Sequence, residues 1–216
     1  MADSFRTIRG TSACPFAARA RIETVPPYTG LRPYEAGFAA GPAVADLARR
    51  IEHDDVDGLL LQLTDLGLGS TIEVLAETVR QTVTGLLEAT GTDPAAALAD
   101  AGTDGWWLQL SGVRWFLIVF APCYPDTSPR STRGSTTTFF LLQPVHSFDR
   151  HATPKGAVIA PAVRERIRSA HQAAGTPYNT DHAQQTAEAQ KFVAPLHPDD
   201  PPVTWWRARS TEVETT

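Results

Sequence analysis

The chain has very little sulfur. Of its 216 residues, two are cysteine (Cys14 and Cys123) and one is methionine, the initiator Met1. Two cysteines cannot build a dense disulfide framework or a four-cysteine zinc site. No apolar run reaches membrane-spanning length, and the longest, Trp115 to Pro122, is strand-sized. Basic residues are also short: 19 Lys and Arg stand against 24 Asp and Glu, a formal net charge of −5. That argues against a broad nucleic-acid surface. The first residues, Met1 to Ser4, lack the charged-then-apolar profile of a secretory signal, so a soluble cytoplasmic protein is expected. Hydrophobic residues at 42% and charged ones at 20% are those of a globular domain with a sizeable core.

Periodicity places the elements. Thr11 or Ser12 caps an expected short helix with Pro15 in its first turn. Pro26-Pro27 and Pro33 read as an extended connector. A helix is expected from Gly41-Pro42, with Val44, Leu47, Ala48 and Ile51 on one face. Leu59 to Leu63 reads as a buried strand. Ser70 and Glu73 have capping-box spacing before a helix burying Ile72, Leu75, Val79, Val83, Leu86 and Leu87. A short alanine-rich helix covers Pro94 to Asp100.

Trp106 to Leu110, Ser111-Gly112 and Arg114 to Phe120 then form a β-hairpin, and Thr136 to Gln143 a further strand. Pro161 to Ala174 is a helix stopped by Gly175, and Gln184 to Phe192 a last helical piece. The whole reads as one α+β domain over residues 1–216, with a small, mainly antiparallel central sheet covered by helices. A loosely ordered tail is expected from about residue 198, although Trp205-Trp206 could dock.

No P-loop, Rossmann glycine fingerprint, HExxH, GxSxG or CxxCH is present. The last absence excludes covalently attached c-type heme. His53-Asp54-Asp55-Val56-Asp57 has carboxylates suited to a hard cation, but a helix end and turn explains it more simply. The densest polar stretches flank the central strands: Ala121 to Arg130, and Leu142 to His151. Each follows a buried strand, and the expectation is that both loops meet at one rim.

Three runs, Ser12 to Ala17 (SACPFA), Trp115 to Ser131 (WFLIVFAPCYPDTSPRS) and Thr136 to His151 (TTTFFLLQPVHSFDRH), resemble the YqcI/YcgG family. The resemblance spans about Cys14 to Phe192. One departure is that such loops carry a histidine shortly before the Pro-Arg pair, where this chain has Ser128. The resemblance implies a heme-dependent N-hydroxylase that oxidises a guanidine nitrogen of L-arginine or a related amine in a biosynthetic pathway. It implies heme b (protoheme IX) and O2, with an external electron donor, since no flavin or nicotinamide motif is present.

Heme iron takes His, Cys thiolate, Met or Tyr. His146 is the first candidate ligand, with Ser147 and Asp149 near enough in sequence to orient its second ring nitrogen. His151 is an alternative on the same segment. Cys123 is the rival ligand, or else a buried structural cysteine. Cys14 has less support.

Arg130 and Arg133 could clamp heme propionates or a substrate carboxylate, or be ordinary loop charges. Asp126 and Asp149 are the candidate catalytic acids for holding a guanidinium, or caps of the next turn. The aromatics Trp106, Trp107, Trp115, Phe116, Phe139 and Phe140 could wall a flat cofactor, though core packing suits most of them better. His182 and His197 are expected to be exposed, and His171 to sit favourably at a helix C-terminus. The expected partners are a small guanidine or amine substrate and an external reductase, with neither nucleic acid nor membrane. A homodimer could form through Trp205-Trp206 or the sheet edge. A non-catalytic heme or small-ligand binder is the alternative function, and an interaction module using the proline-bordered loops a third.

Overall fold

A computed structural model describes residues 3–12, 14, 17–151, 161–176, 180–183 and 187–208. The side chains of residues 3, 149–151, 161, 164, 180 and 181 lie outside that description. The elements in chain order are α1 (Asp3–Gly10), β1 (Ile22–Thr24), α2 (Pro33–Arg50), β2 (Gly58–Leu63), α3 (Ile72–Ala89), α4 (Pro94–Ala99), β3 (Leu108–Leu110), β4 (Val113–Phe120), β5 (Thr138–Pro144), α5 (Val145–His151), α6 (Pro161–Ala173), α7 (Thr180–Ala183) and a 3-10 helix (Glu188–Lys191).

The five strands form one sheet in the order β1-β2-β5-β4-β3. β1 pairs parallel with β2, and the other three pairings are antiparallel. The α+β class is as expected, and the sheet is mixed.

β2 and β5 are apolar on both faces because both faces are covered. Leu59, Leu61 and Leu63 of β2 join Trp115, Leu117 and Val119 of β4 in a large core under α2 and α3. Leu60, Phe139 and Leu141 point the other way and pack with Phe5 and Ile8 of α1. The Phe5 ring lies 5.8 Å from Phe120 and 5.5 Å from Phe139. The alternating side chains of a strand supply both cores from one short run.

The helix expected from Gly41-Pro42 begins nine residues earlier, at Pro33. Pro33 takes the first-turn position, and Pro42 lies inside the helix on its solvent face. There Phe38, whose carbonyl Pro42 cannot bond, is itself an exposed residue. The helix continues through this weak point because α2 is pressed against α3. A Cβ on Gly37 would lie 2.1 Å from the Thr82 carbonyl oxygen, and one on Gly85 2.1 Å from that of Tyr34. Only glycine permits this approach.

α3 is as expected, but its cap is Thr71 rather than Ser70: the Thr71 hydroxyl accepts from the Val74 N–H at 3.2 Å. Ser111 (φ 51°) and Gly112 (φ 78°) make the tight β3–β4 turn, whose twist matches that of the strands.

The N-terminal helix precedes Thr11 instead of following it, and residues 17–19 form a turn. Pro15 lies outside the described residues. So do 184–186 of the expected last helical piece, whose described part is the 3-10 helix. The tail expected to be loose from about 198 carries Trp205 at 1% exposure and Trp206 at 9%. Trp205 donates to the Ala189 carbonyl at 2.7 Å and stacks on Phe192 at 5.6 Å. No helix among the described residues is long and apolar enough to cross a membrane.

Candidate functional site

The common rim does not form. β4 and β5 are adjacent and antiparallel, with Phe120 opposite Phe139 and Trp115 opposite Pro144. Their C-terminal ends therefore point in opposite directions. Five residue steps separate the two pairs, about 17 Å at about 3.4 Å per residue. Cys123, Asp126, Arg130 and Arg133 follow β4 at one end, and His146 follows β5 at the other. Two strands deliver their C-terminal loops to one rim only when they run parallel.

At the β4 end, the chain from Ala121 to Thr137 is bound chiefly to itself. Ser131 Oγ donates to Asp126 Oδ1 at 2.8 Å and accepts from the Arg133 N–H at 3.0 Å. Arg133 has a left-handed backbone (φ 53°), and its guanidinium donates to the Asp126 carbonyl. Ser128 Oγ accepts from the Arg130 N–H at 3.1 Å.

Arg130 reaches outward to three backbone carbonyls. It donates to Val119 at 3.3 Å, Phe192 at 3.3 Å and Lys191 at 2.9 Å. Tyr124, 3% exposed, donates its hydroxyl to the Ala194 carbonyl at 2.8 Å, and burial raises the phenol's pKa. Together with Trp205, these side chains hold four carbonyls of segment 189–194. That strap lies against β4 with the Phe192 ring 6.0 Å from both Trp106 and Phe116. Arg130 is thus a clamp on the chain's own backbone, and the expected propionate clamp does not fit it.

Cys123 is partly buried, and its N–H donates to the Gly69 carbonyl at 2.9 Å. Burial first, then the Glu73 carboxylate, pushes its thiol up to about 11. A site that favours the neutral thiol is a poor setting for a thiolate ligand. Thr138 beside it is fully buried, and its hydroxyl has no hydrogen-bond partner among the described residues.

At the β5 end the strand runs directly into α5. His146 is the second residue of that helix and is partly buried. Ser147 is 2% exposed, and the Phe148 ring meets the Phe116 ring edge-on at 6.1 Å. The side chains of Asp149 and His151 lie outside the described residues, so the expected orienting role of Asp149 has no geometry here. His146 fits an axial ligand in donor chemistry and in its place on a regular element. Cys14 lies at the chain's other extremity in sequence, where its N–H donates to Ser12 Oγ at 3.3 Å.

Half of the expected aromatic wall is core. Trp115, Phe139 and Phe140 are fully buried in the two clusters. His53 to Asp55 is no metal centre: Asp54 pairs at 2.5 Å with Arg50, which also binds Glu23 and Asp46. No group of metal-ligating side chains occurs among the described residues.

His182, expected to be exposed, is partly buried close to Arg130 and Lys191. Burial first, then the Arg130 charge, pushes it down to about 4. His171 lies in the last turn of α6, as expected, and is buried there, with Nδ1 3.2 Å from Thr176 Oγ1; burial lowers its pKa. Polar, proline-bordered sequence around His182 gives no local signal of this burial. No protein-family model, curated protein or solved structure matches the chain.

Proposed function

We propose that the chain is a heme-dependent N-hydroxylase converting L-arginine or a related guanidine or amine to its N-hydroxy product. The reading rests on the three sequence motifs. The observation that carries it is that the two longer motifs occupy β4 and β5, the paired inner strands of the sheet. Bound heme would supply the oxidising chemistry, with O2 and electrons from an external donor. The chain's part is the axial ligand, for which His146 is the fitting residue, and apolar cover from Phe116 and Phe148.

The alternative is a non-catalytic heme or small-ligand binder. It is favoured by one observation: Asp126 and Arg130, two residues assigned to substrate and cofactor, are engaged in holding their own loop and strap.

Hemin titration of the purified protein tests both. Each expects a saturable Soret band that His146→Ala removes. A protein that stays colourless sinks both. Incubation with L-arginine, a reductant and O2, read by mass spectrometry, then separates them. Nω-hydroxyarginine supports the enzyme, and its absence together with an unmoved spectrum supports the binder.

A further inference from the structure

α2 turns one face to the body of the protein, where Ala36, Gly37, Ala40, Val44 and Leu47 are buried. The opposite face is open. Phe38 is 47% exposed although it is an aromatic, and Ala39 and Pro42 beside it are exposed too. A helix that borders only water carries charged or polar side chains at such positions.

Charges flank this apolar centre in a regular order. Glu35, Pro42 and Arg49 follow one another at intervals of seven, so they fall on one line of the helix, drifting only about 20° per step. Glu35 and Arg49 therefore lie about 10 Å to either side of Pro42 along the axis. Glu35 pairs with Arg32 at 2.6 Å and Arg49 with Asp46 at 2.8 Å, and all four side chains are at least partly exposed. Two acids and two bases make the face neutral in a chain of net charge −5. It selects neither an acidic nor a basic partner.

What the face matches is itself, run backwards. A two-fold axis at Pro42, perpendicular to the helix, sets Glu35 of each copy against Arg49 of the other. The same operation sets Phe38 of each copy against the small Ala45 of the other, on one side of the contact. Self-complementarity of this kind is what a two-fold interface requires. The dimer routes expected from the sequence offer less. The edge strands β1 and β3 are three residues long, and Trp205 and Trp206 are buried in their own chain.

We propose that the exposed face of α2 is the contact of an antiparallel, two-fold homodimer centred on Pro42. Phe38 of one copy packs on Ala45 of the other, and Glu35 pairs across with Arg49. Each intrahelical pair alone contributes little at the surface; the dimer joins them into rows of four alternating charges. The heme reading plays no part in it.

Sedimentation equilibrium of the purified protein, from about 1 μM to 1 mM, should show a reversible monomer–dimer equilibrium with a Kd of about 50 μM. Phe38→Ala should weaken it about tenfold. Glu35→Arg and Arg49→Glu each put like charges at both contacts, and each should be a monomer alone. Mixed in equal amounts they restore opposite charges at both contacts, and the mixture should dimerise about as tightly as the parent. A parent that stays monomeric to 1 mM, undiminished association in Phe38→Ala, or a mixture that stays monomeric overturns the proposal. Glu35→Arg also loses the bond that Glu35 accepts from the Arg32 N–H at the start of α2. If it does not fold, Phe38→Ala and Arg49→Glu decide, and undiminished association in either overturns the proposal.

Discussion

The two ends of the β4–β5 pair use polar residues differently. At the β4 end, Asp126, Ser128, Arg130, Ser131 and Arg133 bond to backbone and to one another, and Arg130 and Tyr124 pin a strap 60 to 70 residues away in sequence. At the β5 end, the strand passes into a helix, and a partly buried His146 sits in its first turn. A proline-rich loop with arginine and aspartate looks like a binding loop in sequence. Here those residues hold the chain together. Polar residue types mark the positions that matter without saying whether they matter for architecture or for chemistry.

The comparison breaks most readily at Arg130. Arg130→Ala leaves three carbonyls without their charged donor and frees the strap from β4, and a loss of about 3 kcal/mol is expected. Urea unfolding measures it. Arg130→Lys should restore little, because an ammonium lacks the planar fork that reaches several carbonyls at once. A midpoint within experimental error of the parent in Arg130→Ala would show that the strap needs no clamp.

Acid should loosen the same corner. His182 has a folded pKa of about 4 against an ordinary 6.5, so the unfolded chain binds more protons between those values. Stability is then full above about pH 6.5 and is lost as pH falls toward 4, by up to about 3 kcal/mol. His171, lowered by burial, adds a loss of the same sign. His182→Gln should flatten this slope, measured as the urea midpoint against pH. An unchanged slope would place its cause elsewhere.

Smaller changes sharpen the picture. Tyr124→Phe removes the bond to Ala194 and should cost about 1 kcal/mol. Thr138→Val, at the same end, should stabilise by about 1 kcal/mol, because it replaces a buried hydroxyl that has no partner among the described residues with a methyl of equal size. Thermal unfolding of the two variants should shift in opposite directions. A destabilised Thr138→Val would mean that the hydroxyl is satisfied after all.

The same contrast explains what could be read in the sequence. β2, β4, β5 and α3 were legible because burial on one or both faces writes an apolar run or a 3.6-residue stripe into the local sequence. The start of α2 was not, since Pro33 and Pro42 carry the same first-turn signal. The choice between them rests on Gly37 and Gly85, which meet only in the folded helix pair. The ligand candidates were legible as residue types, but their separation depended on strand direction, a property of the pairing. Burial of His182 and docking of Trp205 arise from contacts with Arg130 and Phe192, distant in sequence or set by tertiary packing.

The smallest stability effect belongs to the β5 end and asks the most specific question. His146 lies in the first turn of a helix and is partly buried. His146→Ala should change the unfolding free energy, measured by urea titration, by no more than about 0.5 kcal/mol. If heme binds there, the same variant should lose the Soret band on hemin titration, whereas Cys123→Ser should retain it, because burial keeps that thiol neutral. Loss of heme in Cys123→Ser with retention in His146→Ala would move the ligand to the β4 end. A His146→Ala variant that lost both stability and heme would make His146 one more residue that holds the fold. A stable, colourless variant is the outcome that separates chemistry from architecture at this position.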